Sequence, residues 1–509
     1  MKALHAAVER RLAALPAERL RGMRRGIEKE SLRTRPDGLL ALTPHPAALG
    51  SPLTHPSITT DFSESQLELI TGVHASAAAA MEELQHTHQA VFRAIGEEML
   101  WVGSMPCGLP ADGAIPIGQY GTSNIGRAKT VYRTGLSHRY GRRMQTISGI
   151  HYNWSLPGTS SDDYFALMRN FRRHSFLLLL LFGASPAVCE SFIAGVPNGL
   201  QQLAPGTLGL PHATSLRMGR LGYQSDAQAT LAVSYNGLDL YGASLQEGLT
   251  HVHPPYEAIG IVDEAGHYRQ LSTTLLQVEN EFYGTIRPKR VIRPEERPLH
   301  ALRESGVEYI EVRCMDLDPF EPVGIAESTM RFIDVFLLHC LLSDSPPDTP
   351  AEIAALARNQ ERVAARGRAP GLRLLQGEGE VAMMQWTQDL LDAFEPIAAA
   401  LDALHGGASH RDAVAQARAA SLNPQELPSA RVLREVSSAG QGGYVDLVRR
   451  LSSEAKQAVL ALPWDEPLAE RFEGFAAASR QKQAKLEASD RLPFEAWRQH
   501  YLSVERLVP

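Results

Sequence analysis

The first two thirds of the chain hold five short stretches that alternate in polarity, four of them with acidic residues on the polar beat and one with a histidine. They are Gly26–Thr34 (GIEKESLRT), Ile58–Phe62 (ITTDF), Ile147–Leu156 (ISGIHYNWSL), Thr274–Pro288 (TLLQVENEFYGTIRP) and Val307–Leu317 (VEYIEVRCMDL). β-Branched and aromatic residues at a period of two predict strands. Residues two apart on a strand share a face. Glu28 and Glu30 therefore project together, ~6.5–7 Å apart along the chain, with Ile27 opposite. Glu311 and Arg313 share a face with Tyr309, while Ile310 and Val312 point inward. His151, Asn153 and Ser155 form the polar face of their segment, and Ile150, Tyr152, Trp154 and Leu156 the apolar one. Asp61 and Glu68 flank FSESQL, where a turn leaves their relative facing open.

One such pair alone fits a solvated sheet face. Several acidic strands with a histidine and an arginine pose a different problem, because like charges on one surface repel unless cations hold them. Hard oxygen ligands suit Mg²⁺. Five carboxylates and one imidazole would suit two or three such ions bound with nucleotide phosphates. Periodicity alone does not bring the strands together.

Outside these stretches, residues 1–20 and 75–95 read as helices; Met81, Leu84, Val91, Phe92 and Ile95 recur at three- and four-residue steps. From Ala351 onward Ala, Glu, Arg and Leu dominate, which predicts a helical region carrying little chemistry. The Pro-rich SDSPPDTP (Ser343–Pro350) is the best linker candidate between the two characters. The architecture expected is α+β, with 1–509 as one catalytic domain: a strand-rich core within about 20–342 and a mainly helical 351–509.

Lys and Arg number 50 against 57 Asp and Glu, a net charge of −7 spread along the chain, which argues against nucleic-acid binding. The densest apolar run, Phe176–Phe182, falls far short of the ~18 residues a membrane helix needs. The N-terminal MKALHAAVERRLAAL lacks a signal-peptide core, so a cytoplasmic protein is expected. Cys107, Cys189, Cys314 and Cys340 form no CxxC pair; each is read as a small buried hydrophobe in a reducing cytosol, with no disulfide framework. GxxxxGK[ST], GxGxxG after a strand and HExxH are all absent. GASPA (Gly183–Ala187) is read as a helix-terminating turn rather than a nucleophile elbow. His251 and His253 precede PPYE, read as a surface loop, and receive no role. Arg287, Lys289 and Arg290 (IRPKR) are read as a short basic strand beside a nucleotide site.

At the acidic strands the sequence resembles glutamate–cysteine ligases of the proteobacterial type. The resemblance runs through GIEKESLR, Ala48–Thr71, SMPCGLP (Ser104–Pro110), Gln119–Gly141, Met144–Pro157, Leu181–Phe192, Ala213–Tyr223, Leu276–Arg290 and Gly306–Phe320. It is looser in the C-terminal third, through RAPGL (Arg368–Leu372), SARVL (Ser429–Leu433) and PFEAW (Pro493–Trp497). It implies a glutamine-synthetase-like curved antiparallel sheet of about six strands forming a funnel, with helices outside. It implies Glu28, Glu30, Asp61, Glu68, His151 and Glu311 as Mg²⁺ ligands, two or three ions in all, with Mn²⁺ as a substitute. Arg217 and Arg313 are implied beside the glutamate and the transferred phosphoryl group. Tyr132, Arg133, Leu136, Gln145, Tyr223 and Tyr283 are implied as the pocket that closes on cysteine. The implied activity is ATP-dependent formation of γ-glutamylcysteine through a γ-glutamyl phosphate, the first step of glutathione biosynthesis. Use of another amine acceptor is the alternative. The resemblance further implies feedback inhibition by glutathione and a monomer, and no ATP-grasp module follows.

Overall fold

Alternating polarity in the N-terminal two thirds builds one antiparallel sheet. The computed structural model describes residues 2–222, 227–228, 231–438 and 442–509. Its strands are β1 (Arg24–Thr34), β2 (Ile58–Thr60), β3 (Gln66–Ile70), β4 (Met99–Leu100), β5 (Ile150–Ser155), β6 (Ala187–Cys189), β7 (Gln201–Ala204), β8 (Thr207–Gly209), β9 (Ile286–Lys289), β10 (Tyr309–Met315), β11 (Arg373–Gln376) and β12 (Gly379–Ala382). The main sheet runs β2-β3-β1-β5-β10-β9, six strands on one path, with β4 as a seventh against β1. Every pairing in it is antiparallel. β6-β8-β7 and the hairpin β11-β12 form two small sheets.

The helices are α1 (Lys2–Ala14), α2 (Ala17–Arg21), α3 (Ala77–Ala94), α4 (Asn124–Tyr140), α5 (Ser161–His174), α6 (Phe176–Phe182), α7 (Leu238–Thr250), α8 (Pro254–Glu257), α9 (Pro298–Ser305), α10 (Glu327–Leu342), α11 (Pro350–Arg366), α12 (Met383–His405), α13 (Ser409–Leu422), α14 (Pro428–Ser438), α15 (Gly443–Leu460), α16 (Glu466–Ser489) and α17 (Phe494–Leu502). Their starts are marked in the sequence: Ser76 and Ser123 accept the amides of Ala79 and Gly126, and Ser160 with Asp163 forms a capping box.

The apolar beats of the strands form the floor of the core. Ile27, Leu67, Leu69, Tyr152, Trp154, Ile310 and Val312 are all buried, and α3, α5 and α10 pack in the same cluster. Each such side chain contributes about 1.5–3 kcal/mol on burial, which commits the opposite, polar beat to the other face. That opposite face carries the carboxylates.

Four expectations need correction. Only Ile286–Lys289 of the Thr274–Pro288 stretch is strand. Glu279–Glu281 is a 3₁₀ turn, because Arg297 holds Glu279 at 2.8 Å and Arg139 holds Glu281 at 3.0 Å. Ser343–Pro350 is not a free linker: Arg169 and Arg173 donate to the carbonyls of Ser345 and Pro346, and Arg172 pairs with Asp348 at 2.9 Å. PPYE is not a loop but the single-turn helix α8. Cys107 and Cys189, expected as unpaired thiols, form a disulfide with Cα atoms 5.4 Å apart. Eighty-two residues separate the two in sequence, so only the docking of β6 beside the loop after β4 brings them together. Cys314 and Cys340 are free and buried, as expected.

Candidate active site

Strand register brings the acids together. Glu30 lies opposite Glu68 across β1/β3, Glu28 opposite His151 across β1/β5, and Glu311 opposite Asn153 across β10/β5. Directly opposed residues on one face have Cβ atoms ~4.5–5.5 Å apart, so their carboxyl ends meet. His151 is the hub: Nδ1 lies 3.1 Å from Glu28 Oε2 and 3.9 Å from Glu311 Oε1, and Nε2 lies 3.6 Å from Glu30 Oε1. Glu28, His151 and Glu311 offer ligand atoms within 4.8 Å of one another, and Glu30, Glu68 and His151 do the same. Asp61, whose facing the sequence left open, follows β2 and closes the turn by donating its amide to Gln66 O at 2.9 Å. Its charge acts on both Glu30 and Glu68.

The two halves of this cluster differ in electrostatics. Burial, then Asp61, pushes Glu30 up to about 8. Burial, then Glu28 and Asp61, pushes Glu68 well above the carboxylate range. Burial also works against ionised Glu311, but Lys289, Arg313 and Arg287 overcome it and hold Glu311 well below its usual value. Lys289 Nζ lies 3.2 Å and Arg313 Nη1 2.9 Å from its carboxylate. His151 is lowered, by burial first and then Arg313, so its imidazole is neutral at neutral pH and able to ligate.

This donor set fits a divalent cation. It is four convergent glutamates with one neutral imidazole, hard oxygen donors in excess. Burial and carboxylate–carboxylate repulsion raise Glu30 and Glu68, and a divalent cation would relieve that repulsion. Asn153 donates to Glu28 Oε1 at 2.9 Å while its own Oδ1, buried, accepts no hydrogen bond.

Two arginines border the cluster. Arg313 lies on the same face of β10 as Glu311. Arg217 sits on the 3₁₀ turn Leu216–Met218, fully buried, and donates to Arg313 O at 3.0 Å. Gly149 joins both sides: its amide donates to Glu30 Oε2 at 2.8 Å, and a Cβ there would lie 2.1 Å from Arg217 Nη2. The sequence reading missed Gly149, since a glycine two residues before His151 gives no chemical signal of its own. At the sheet edge a cavity of about 370 Å³ wraps β9, lined by Arg287, Lys289, Tyr309, Tyr241, Leu245 and Leu299.

Helix α4 forms the other wall. Tyr132, Arg133 and Leu136 fall on one side of it, at steps of one and three. Arg133 donates to the Asp61 carbonyl, which links this wall to the acids, and stacks on the Tyr120 ring at 4.5 Å. Gln145 donates to Tyr283 Oη at 2.8 Å. Burial, then Glu281, raises Tyr132, and burial raises Tyr283, so both phenols stay neutral. Tyr223 lies outside the described residues.

Comparison with known proteins identifies the family. The family model for glutamate–cysteine ligase matches residues 11–363. The glutamate–cysteine ligase of Alcanivorax borkumensis is 44% identical, over 98% of this chain and 99% of its own. That of Azotobacter vinelandii is 45% identical, with 96% of each chain covered. The crystal structure of the Francisella tularensis enzyme, in complex with AMP, superimposes with a TM-score of 0.90 at 35% identity, covering 94% of this chain and 97% of that one. A bifunctional glutathione synthetase from Pasteurella multocida shares the fold at 24% identity (TM-score 0.71), with 58% of its chain covered. On these matches the chain belongs to the glutamate–cysteine ligase family.

Proposed function

We propose that this protein joins the γ-carboxylate of L-glutamate to the α-amine of L-cysteine, converting ATP to ADP and phosphate, as the first step of glutathione biosynthesis. The observation that carries this reading is the convergence of Glu28, Glu30, Glu68, His151 and Glu311 on one sheet face in a chain of this family. A carboxylate is a poor electrophile. In the proposed route a glutamate γ-oxygen attacks the γ-phosphorus of ATP and ADP leaves. The cysteine amine then attacks the acyl carbon, loses a proton, and expels phosphate.

Glu28, Glu30, Asp61, Glu68, His151 and Glu311 would hold Mg²⁺, two or three ions, with Mn²⁺ as a substitute. Bound there, the ions would neutralise phosphate charge during a near in-line transfer. Arg217 and Arg313 meet the charge that develops on the transferred group. Tyr132, Arg133, Leu136, Gln145, Tyr223 and Tyr283 close on cysteine, the two described phenols serving as neutral donors. The cavity around β9 takes the nucleoside, since it opens directly beside the two cations, Lys289 and Arg287, that flank Glu311. Tyr309→Ala should therefore raise KM for ATP and leave KM for cysteine unchanged. The same reading includes glutathione as a feedback inhibitor, because it contains the product's γ-glutamylcysteinyl part, and a monomeric cytoplasmic enzyme.

The test is glutamate-dependent ADP release with cysteine, then with other amines. Release that needs glutamate and is fastest with cysteine supports the reading. Faster turnover with a different amine would reassign the acceptor, and no release with any amine would overturn the ligase reading.

A further inference from the structure

We infer that Asp316, just beyond β10, is a positioning residue for Arg217 and thereby for phosphoryl transfer. The inference rests on the role proposed above for Arg217. Asp316 is buried and its carboxylate is fully engaged. Oδ2 accepts from Ser185 Oγ at 2.6 Å and from the Ala184 amide at 2.9 Å. Oδ1 accepts from Ser215 Oγ at 2.9 Å and faces Arg217 Nη1 at 3.8 Å. Ser215 in turn opens the 3₁₀ turn that carries Arg217, accepting the Met218 amide at 3.3 Å. Ser185 belongs to the GASPA turn after α6, and its carbonyl receives the Leu216 amide at 2.7 Å.

One carboxylate therefore fixes the backbone on either side of Arg217 and also supplies an opposite charge to its guanidinium. The rest of the clamp belongs to the site: Arg313 O accepts from Nη2, and Gly149, which donates to Glu30, leaves the space beside it that the guanidinium fills. A charge pair this dry costs desolvation, and a hydrophobic packing of the same volume would stabilise the fold at least as well. What the pair does fix is where the arginine sits. Misplacing a catalytic group by ~1 Å can cost ~10²-fold in rate.

The experiment is a double-mutant cycle on the full-length enzyme, reading kcat and KM for each substrate. Asp316→Asn keeps shape and removes charge; it should lower kcat by about 10–100-fold and leave KM for cysteine within about twofold. Combined with Arg217→Ala, it should cause no loss beyond that of Arg217→Ala alone, because the two act as one unit. Multiplying losses, or wild-type kcat in Asp316→Asn, would overturn the inference. Should Asp316→Asn not fold, Ser215→Ala, which keeps the charge but frees Oδ1, enters the same cycle with the same criteria. The functional reading of Arg217 fails separately, if Arg217→Ala itself keeps wild-type ADP release.

Discussion

Glu30 and Glu311 lie on one face of one sheet and are tuned in opposite directions, so they oppose each other in stability. Glu30 is raised to about 8. Below the ordinary carboxylate value its contribution is fully present. Between that value and about 8 the unfolded chain has released the proton while the folded one keeps it, so stability falls as pH rises. Glu311 is depressed; its contribution is present at neutral pH and lost as pH falls through its low value. Without ligands, Glu30→Gln and Glu68→Gln should thus raise the melting temperature at pH 8, whereas Glu311→Gln should lower it by leaving Lys289 and Arg313 without their anion. Mg²⁺ should stabilise the wild type more at pH 8.5 than at pH 6, since binding must displace the Glu30 proton. Melting curves at three pH values, with and without Mg²⁺, check this; an unchanged pH slope in Glu30→Gln would sink it. Gly149→Ala tests the link between the halves. A methyl 2.1 Å from a buried guanidinium cannot be accommodated without moving it, so kcat should fall by about 10²-fold.

Among the elements, β1, β5 and β10 were legible in the sequence because their faces obey a period of two and their apolar beats are unbroken. That parity puts Glu28 with Glu30, and His151 and Glu311 each, on the polar face of its own strand; that the three faces are one surface follows only from the strand pairing. Asp61 escaped the parity, because the turn at 62–65 resets the phase. The Thr274–Pro288 stretch misled for another reason: Glu279 and Glu281 look like polar beats of a strand, but each pairs with an arginine remote in sequence, and those ion pairs bend the backbone into a turn. The Cys107–Cys189 pairing was equally hidden, since spacing says nothing about which loops dock. Helix α4 makes the prediction at this scale. Gly135 packs against Gln277, and an added Cβ would lie 2.2 Å from Gln277 Oε1. Gln277 is itself fixed, accepting the Leu271 amide and donating to Tyr132 O. Gly135→Ala should push the helix outward and displace Tyr132 and Leu136. KM for cysteine should rise about tenfold or more while KM for ATP holds. A matched rise in both constants would show that α4 does not form the cysteine wall.

Across the whole molecule, the helical C-terminal third braces the site rather than standing apart from it. Asn124, at the start of α4, donates its amide to Asp490 Oδ2 at 2.6 Å, and Arg127 stacks on Phe494 at 4.3 Å. Ser479 on α16 accepts the Ser51 amide at 2.9 Å, beside the loop that leads into β2. Arg297 and Arg303 donate to the carbonyls of Tyr501 and Leu507. One apolar cluster runs from Val8 on α1 through Trp154 and Phe394 to Leu507. We propose on this basis that sheet and C-terminal helices unfold as one unit. Of the five tryptophans, Trp154 reports on β5 and Trp497 on α17, and both are buried. Variants that keep one of these and replace the other four with Phe allow each region to be followed separately. Both reporters should melt within about 1 °C of each other, the coincidence expected of a cooperative transition. Saturating ATP, glutamate and Mg²⁺ should move both midpoints up together, because ligands that bind only the native state stabilise everything coupled to it. A Trp497 transition about 5 °C or more below that of Trp154, and unmoved by ligands, would show that 351–509 folds on its own account.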